Sequence, residues 1–147
     1  MNGLSCRPAT ETDHPFLCNL LLELQASERG RLVREEEDQD TAFARVLADG
    51  KNYVIETAGE LVGGAQVRVL GDPDDGEYVG FIMMIAVQSE HRRHGYGSLL
   101  LSYLLDELRS LGVRQLILNV RADNLLAKAF YHRHGFSTMS EQMAKSI

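Results

Sequence analysis

Arg92-Arg93-His94-Gly95-Tyr96-Gly97-Ser98 is where side chains and spacing could do the most chemistry in this chain. The stretch lies between the apolar run 81–87 and the leucine-rich segment 99–111, so a buried strand is predicted to feed a glycine turn that opens a helix. Such a junction aims free backbone N–H groups and the positive end of the helix at one point, which suits a pyrophosphate. Arg92 and Arg93 add charge and paired donors for phosphate oxygens. A bare Gly-x-Gly is also what an ordinary tight turn with a helix cap would show.

Two familiar phosphate loops do not fit. A dinucleotide-binding loop would carry a third glycine where Leu100 stands, and an acidic ribose partner where the chain reads Leu116-Ile117-Leu118. A P-loop needs Gly-Lys followed by Ser or Thr, and the stretch has none. A second motif lies downstream of another apolar strand, 116–120. It consists of Asn124 and Ala127, then Phe130-Tyr131 and Gly135-Phe136, spaced Asn-x-x-Ala and Phe-Tyr-x-x-x-Gly-Phe. Together with the Arg-x-x-Gly-x-Gly pattern from Arg92 to Gly97, this order resembles the GCN5-related N-acetyltransferase (GNAT) superfamily, over nearly the whole chain.

The resemblance implies acetyl transfer from acetyl-CoA to a primary amine of a small molecule or protein, by direct attack. It implies that backbone amides of Arg93, His94, Gly95, Tyr96, Gly97 and Ser98 hold the pyrophosphate, with Arg92 and Arg93 within reach of phosphate. Ile85, Ala86 and Val87 would pair with the pantetheine arm through main-chain groups, beside a bulge that opens the sheet. A backbone N–H near Ala86 or Val87 would then face the developing oxyanion. Tyr131 matches the general acid of many relatives, and Asn124 would bond the cofactor or its strand; the plainer roles are packing for Tyr131 and a helix cap for Asn124.

No general base is assigned. The segment 79–87 carries no ionisable side chain, and Glu77 and Tyr78 stand only at its start. An acyl-CoA-binding regulatory module without turnover, or a transferase for a longer acyl-CoA, are the alternatives. A covalent route is not expected, because no Gly-x-Ser-x-Gly element occurs. Metal chemistry is not expected either: His91 with His94 and His132 with His134 have no cysteine beside them, and residues two apart on a helix diverge.

Composition sets bounds around these sites. At 147 residues, one domain spanning 1–147 is expected. The net charge of −6 argues against nucleic acid as a partner, and no apolar run is long enough to cross a bilayer. Arg7, Glu11 and Asp13 interrupt any signal-peptide pattern, and Cys6 and Cys18 are too few for a disulfide framework, so a cytoplasmic protein is expected. The acidic run 35–40 reads as a solvated loop, or as a rim attracting a cationic amine. The resemblance allows a homodimer, although no sequence feature requires one.

The elements that must position the motifs follow from periodicity. A strand is predicted over 4–7, then a helix to about Ser27, started by Thr10 and Asp13 at capping-box spacing. A shorter helix begins at Asp40 or Thr41. Strands 53–57 and 61–70 form a hairpin around Ala58-Gly59-Glu60, with Gln66 and Arg68 on the polar face. The strand 78–87 is apolar almost throughout, so both its faces should be covered. Leu101, Leu104, Leu105, Leu108 and Leu111 form one stripe of the helix after Gly97. A strand 115–120, a helix 124–134 and a tail with room for one or two closing strands complete the chain. The predicted class is α/β: a GNAT-like mixed central sheet with helices on both faces.

Overall fold

Among the residues that the computed structural model describes, 3–27, 50–76 and 78–147, five strands form one mixed sheet. β1 (Ser5–Pro8), β2 (Lys51–Thr57), β3 (Glu60–Leu70) and β4 (Val79–Val87) pair antiparallel in chain order. β5 (Gln115–Leu118) joins β4 in parallel, after a crossover through the helix that follows the glycine loop. Ala58 and Gly59, both at positive φ, make the two-residue turn between β2 and β3. The helix predicted from Asp40 or Thr41, the acidic run 35–40 and Glu77 lie outside the described residues.

Helices cover both faces of the sheet. Leu17 and Leu20 of α1 (His14–Ser27) pack with Val54 and Met84 on one face. On the other, Leu100, Leu101, Leu104 and Leu108 of α2 (Tyr96–Ser110) pack with Ile55, Val67 and Ile82. Gly64 lets α1 sit directly on β3, since a Cβ there would overlap the Leu17 side chain. The start of α1 is tied to β1 by charge. Asp13 accepts the backbone N–H of Thr10 (2.8 Å) and is gripped by Arg7 at 2.7 and 3.2 Å. That guanidinium holds the buried Asp13 carboxyl down at about 2.

β4 changes character half-way along. Gln66 pairs with Met84 but Val67 pairs with Ile82, so Met83 is an extra, bulged residue with 42% of its surface exposed. The bulge reverses the alternation, so residues two apart face opposite sides: Ile82 belongs to the α2 core and Met84 to the α1 core. Pairing with β5 covers only Val79 to Ile82, and residues 83–87 have no partner strand on that side.

Several sequence expectations are corrected. Gln66 is buried, not polar-facing, because α1 covers the face that alternation alone leaves to water. β4 is not covered throughout, since the bulge turns Met83 outward. Leu111 is 39% exposed, because α2 ends at Ser110 and the chain turns away. β5 stops at Leu118, leaving 119 and 120 outside the ladder. The tail 136–147 forms no strand: Ser, Glu and Gln interrupt its apolar residues, and Met139, Met143 and Ile147 stay exposed without a buried face to dock on.

Candidate functional site

The loop between β4 and α2 holds its backbone donors open. Arg93 sits at φ +69° and Gly95 at φ +79°, so the chain turns through the left-handed region twice within three residues. Among the described residues the N–H groups of Arg93, His94, Gly95, Tyr96, Gly97 and Ser98 find no backbone acceptor; the first helical bond is Leu99 N–H to Gly95 C=O, at 3.1 Å. No side chain caps this helix. Six consecutive open donors thus flank a left-handed turn at the positive end of a helix, an arrangement that suits an anion.

A depression of about 310 Å³ is lined by five of these six residues, Arg93, Gly95, Tyr96, Gly97 and Ser98. Val87, Phe130 and Arg133 also line it. Among the described residues no carboxylate does. A Cβ on Gly97 would meet Phe130 only at an ordinary 3.6 Å, so glycine there is not demanded by packing; it leaves the backbone accessible from the cavity. Arg93, with its side chain exposed and no ion pair among the described residues, is available to a phosphate.

Arg92 also lines the depression and is tied down by two acceptors. Its Nε donates to the Val87 carbonyl at 3.1 Å, and its guanidinium lies 3.8 Å from the Glu23 carboxylate of α1. Glu23 also accepts the backbone N–H of Ser89 at 3.1 Å. Arg92 therefore straps the loop to β4 and α1, because it stands where two acceptors already converge. Glu23 is a site residue that no local motif announces: it lies 66 positions from its loop partner Ser89, within a leucine-rich helix.

Next to the loop, the end of β4 offers main-chain groups. Gln88 N–H donates to Val62 C=O at 2.8 Å, so by strand alternation Met84 and Ala86 turn their main-chain groups to β3. Ile85 and Val87 turn theirs the other way, where β5 has already ended. Of the three strand residues expected to pair with a ligand, Ala86 is committed to Gly64, while Ile85 and the Val87 N–H face the opening. This is where an extended chain could add alongside the strand.

The second motif builds α3 (Leu125–Arg133). Asn124 caps it, its side chain accepting the Ala127 N–H at 3.1 Å. The Tyr131 ring packs edge-on against Phe130 and Phe136. Its hydroxyl bonds no described residue, and burial raises its pKa, so it stays protonated through neutral pH. His134, at the C-terminal end of α3, places its Nε2 3.0 Å from the Ser98 hydroxyl and its ring against Phe130. His91 has its Nε2 3.4 Å from Glu60, and among the described residues no three His, Cys, Asp or Glu side chains gather as a metal site would require.

Residues 17–136 match the acetyltransferase (GNAT) family. The chain belongs to that family. GNAT enzymes transfer an acyl group, with acetyl-CoA as co-substrate, to an amine. Over 86 residues it is 47% identical to the [ribosomal protein bS18]-alanine N-acetyltransferase of Escherichia coli, covering 58% of this chain and 54% of that protein. It is 32% identical over 122 residues to the mycothiol acetyltransferase of Sanguibacter keddieii, covering 80% of this chain and 38% of that protein. The chain therefore spans about half or less of the length of these curated relatives. Among solved structures, a ribosomal-protein-alanine N-acetyltransferase from Brucella melitensis superposes with a TM-score of 0.78 at 18% identity, covering 99% of this chain and 100% of that one. A GCN5-related N-acetyltransferase from Ralstonia eutropha gives 0.78 at 22%, with 99% of each chain covered. At such identities these two likenesses speak for the GNAT fold alone.

Proposed function

We propose that this protein is a cytoplasmic acetyl-CoA-dependent N-acetyltransferase whose acceptor is the terminal amine of a polypeptide. The observation that carries the cofactor assignment is the run of N–H groups from Arg93 to Ser98, open among the described residues, five of whose residues line a cavity that no described carboxylate lines. That arrangement fits a pyrophosphate, with Arg93 and Arg133 adding charge at the rim. Ile85 and Val87 fit an amide-bearing arm laid alongside β4, because their main-chain groups face the opening left by β5. The choice of acceptor is supported by relatives named as alanine and N-alpha acetyltransferases, which are 47% and 35% identical over their matched segments.

Bound acetyl-CoA supplies an activated acyl group and a thiolate leaving group. The protein's part is to hold the carbonyl and manage protons. The Val87 N–H is the donor placed to meet negative charge growing on the carbonyl oxygen, a role worth up to a few kcal/mol. Tyr131 is the acid: burial raises its phenol above the ordinary value of 10.0, so it holds a proton for the departing thiolate. The proton lost by the attacking amine goes to water.

The test is a steady-state assay of peptides with N-terminal alanine against small amines of equal basicity, with acetyl-CoA as donor. Peptide acetylation that falls sharply in Tyr131→Phe supports the reading. Acetylation of small amines alone overturns the acceptor. Binding of acetyl-CoA without turnover of any amine favours the regulatory alternative.

A further inference from the structure

The Ser98–His134 hydrogen bond joins the two motifs of this chain across 36 residues and lies directly behind the anion cavity. We infer that His134 is a positioning residue that sets the Ser98 hydroxyl as a donor to the cofactor's phosphate. The inference rests on the acetyl-CoA reading above.

Ser98 is the third residue of α2; its backbone N–H is one of the six open donors, and its side chain lines the same cavity. A serine hydroxyl has one proton and two lone pairs, so what it shows an anion depends on its other partner. If the His134 Nε2 is unprotonated, Ser98 spends its proton on the ring and turns lone pairs toward the cavity, which repels phosphate. If Nε2 carries the hydrogen, Ser98 accepts from the ring and its O–H is free to donate outward. One imidazole tautomer opposes an anion and the other welcomes it.

Two features hold the ring where it can support the welcoming form. His134 ends α3, where its own N–H bonds the carbonyls of Phe130 and Tyr131 and fixes the backbone that carries the ring. The ring is also fixed, 4.7 Å from Phe130 and partly buried, so it cannot swing away from Ser98 at little cost. An anion in the cavity then completes a chain from Nε2–H through Ser98 O–H to phosphate, in which each bond polarises the next. The charged side chains around that cavity, Arg92, Arg93 and Arg133, reinforce the anion but touch neither Ser98 nor the His134 nitrogen through any described hydrogen bond.

The experiment compares CoA binding by wild type, Ser98→Ala, His134→Phe and the double variant, using calorimetry on the whole chain. His134→Phe keeps a ring against Phe130 and removes only the donor. Each single variant is expected to weaken CoA about five- to tenfold, as losing one charge-assisted hydrogen bond should. The double variant should be no weaker than either single one. His134→Gln, whose amide always has a hydrogen to donate, should recover most of the loss. In the enzyme assay the KM for acetyl-CoA should rise while kcat at saturation does not fall in proportion. Proton–nitrogen correlation NMR of the imidazole should show Nε2 carrying hydrogen in the CoA complex, a signature a packing role would not produce. Wild-type affinity in His134→Phe, additive losses in the double variant, or a hydrogen on Nδ1 alone in the complex would each overturn the inference and leave the acetyl-CoA reading standing. If wild type itself fails to bind CoA, that reading falls and this one with it.

Discussion

The two helices that carry the motifs begin in opposite ways. α3 is capped by its own sequence: Asn124 accepts the Ala127 N–H at 3.1 Å, and the Leu125 N–H bonds the Asp123 carbonyl at 3.0 Å. α2 begins at Gly95 with no cap, and six donors in a row are left for something else. Both starts follow a strand of the same sheet, so topology alone does not separate them. What separates them is a side chain spent on the backbone in one case and withheld in the other. A helix start becomes a binding site when its own cap is missing and its loop turns left-handed, and it is structural when the cap is present.

The comparison can be broken most easily at α2. Gly97→Glu puts a carboxylate into the cavity at a position whose Cβ has room, so the chain should fold while acetyl-CoA binding drops by about 100-fold or more. Calorimetry beside a melting curve checks both halves of that statement. Tyr131→Phe leaves both helix starts intact and should lower kcat about 10- to 100-fold with little change in the KM for acetyl-CoA, measured at steady state.

Asp13 tests the closed kind of start at α1. Its carboxyl is held at about 2 against an ordinary 3.8, so its contribution is fully present above about pH 4 and is lost as pH falls toward 2. Asp13→Asn should cost about 2 kcal/mol at neutral pH and flatten the acid side of the stability profile, followed by urea melts across pH. Asn124→Ala should cost about 1 kcal/mol and leave CoA affinity unchanged; a large loss of affinity would show that its cap is not its only role. Glu23→Gln removes an exposed strap, and should raise the KM for acetyl-CoA only about two- to threefold with less than about 0.5 kcal/mol of stability.

Local chemistry was legible where one segment carries it whole. Arg92 to Ser98 announces a turn, a helix start and an anion in seven consecutive letters, and the leucine stripes announce which faces α1 and α2 bury. What needs two distant segments was not. Gln66 reads as solvent-facing until α1 is laid over it. Arg92 reads only as a loop cation until Glu23 and the Val87 carbonyl are found beside it. The family resemblance implied a bulge in this strand, but its position at Met83 leaves no mark in an apolar run, because an extra residue is visible only against its partner strand. The pairing of Ser98 with His134 lies inside both motifs, yet nothing in either predicts the other.

The central claim is that the open start of α2 holds the cofactor's pyrophosphate. Calorimetric titration of acetyl-CoA into wild type and Gly97→Glu tests it most directly. The account predicts one-to-one binding to wild type that the substitution abolishes while the melting temperature stays nearly the same. Equal binding to both proteins would contradict it and place the cofactor elsewhere.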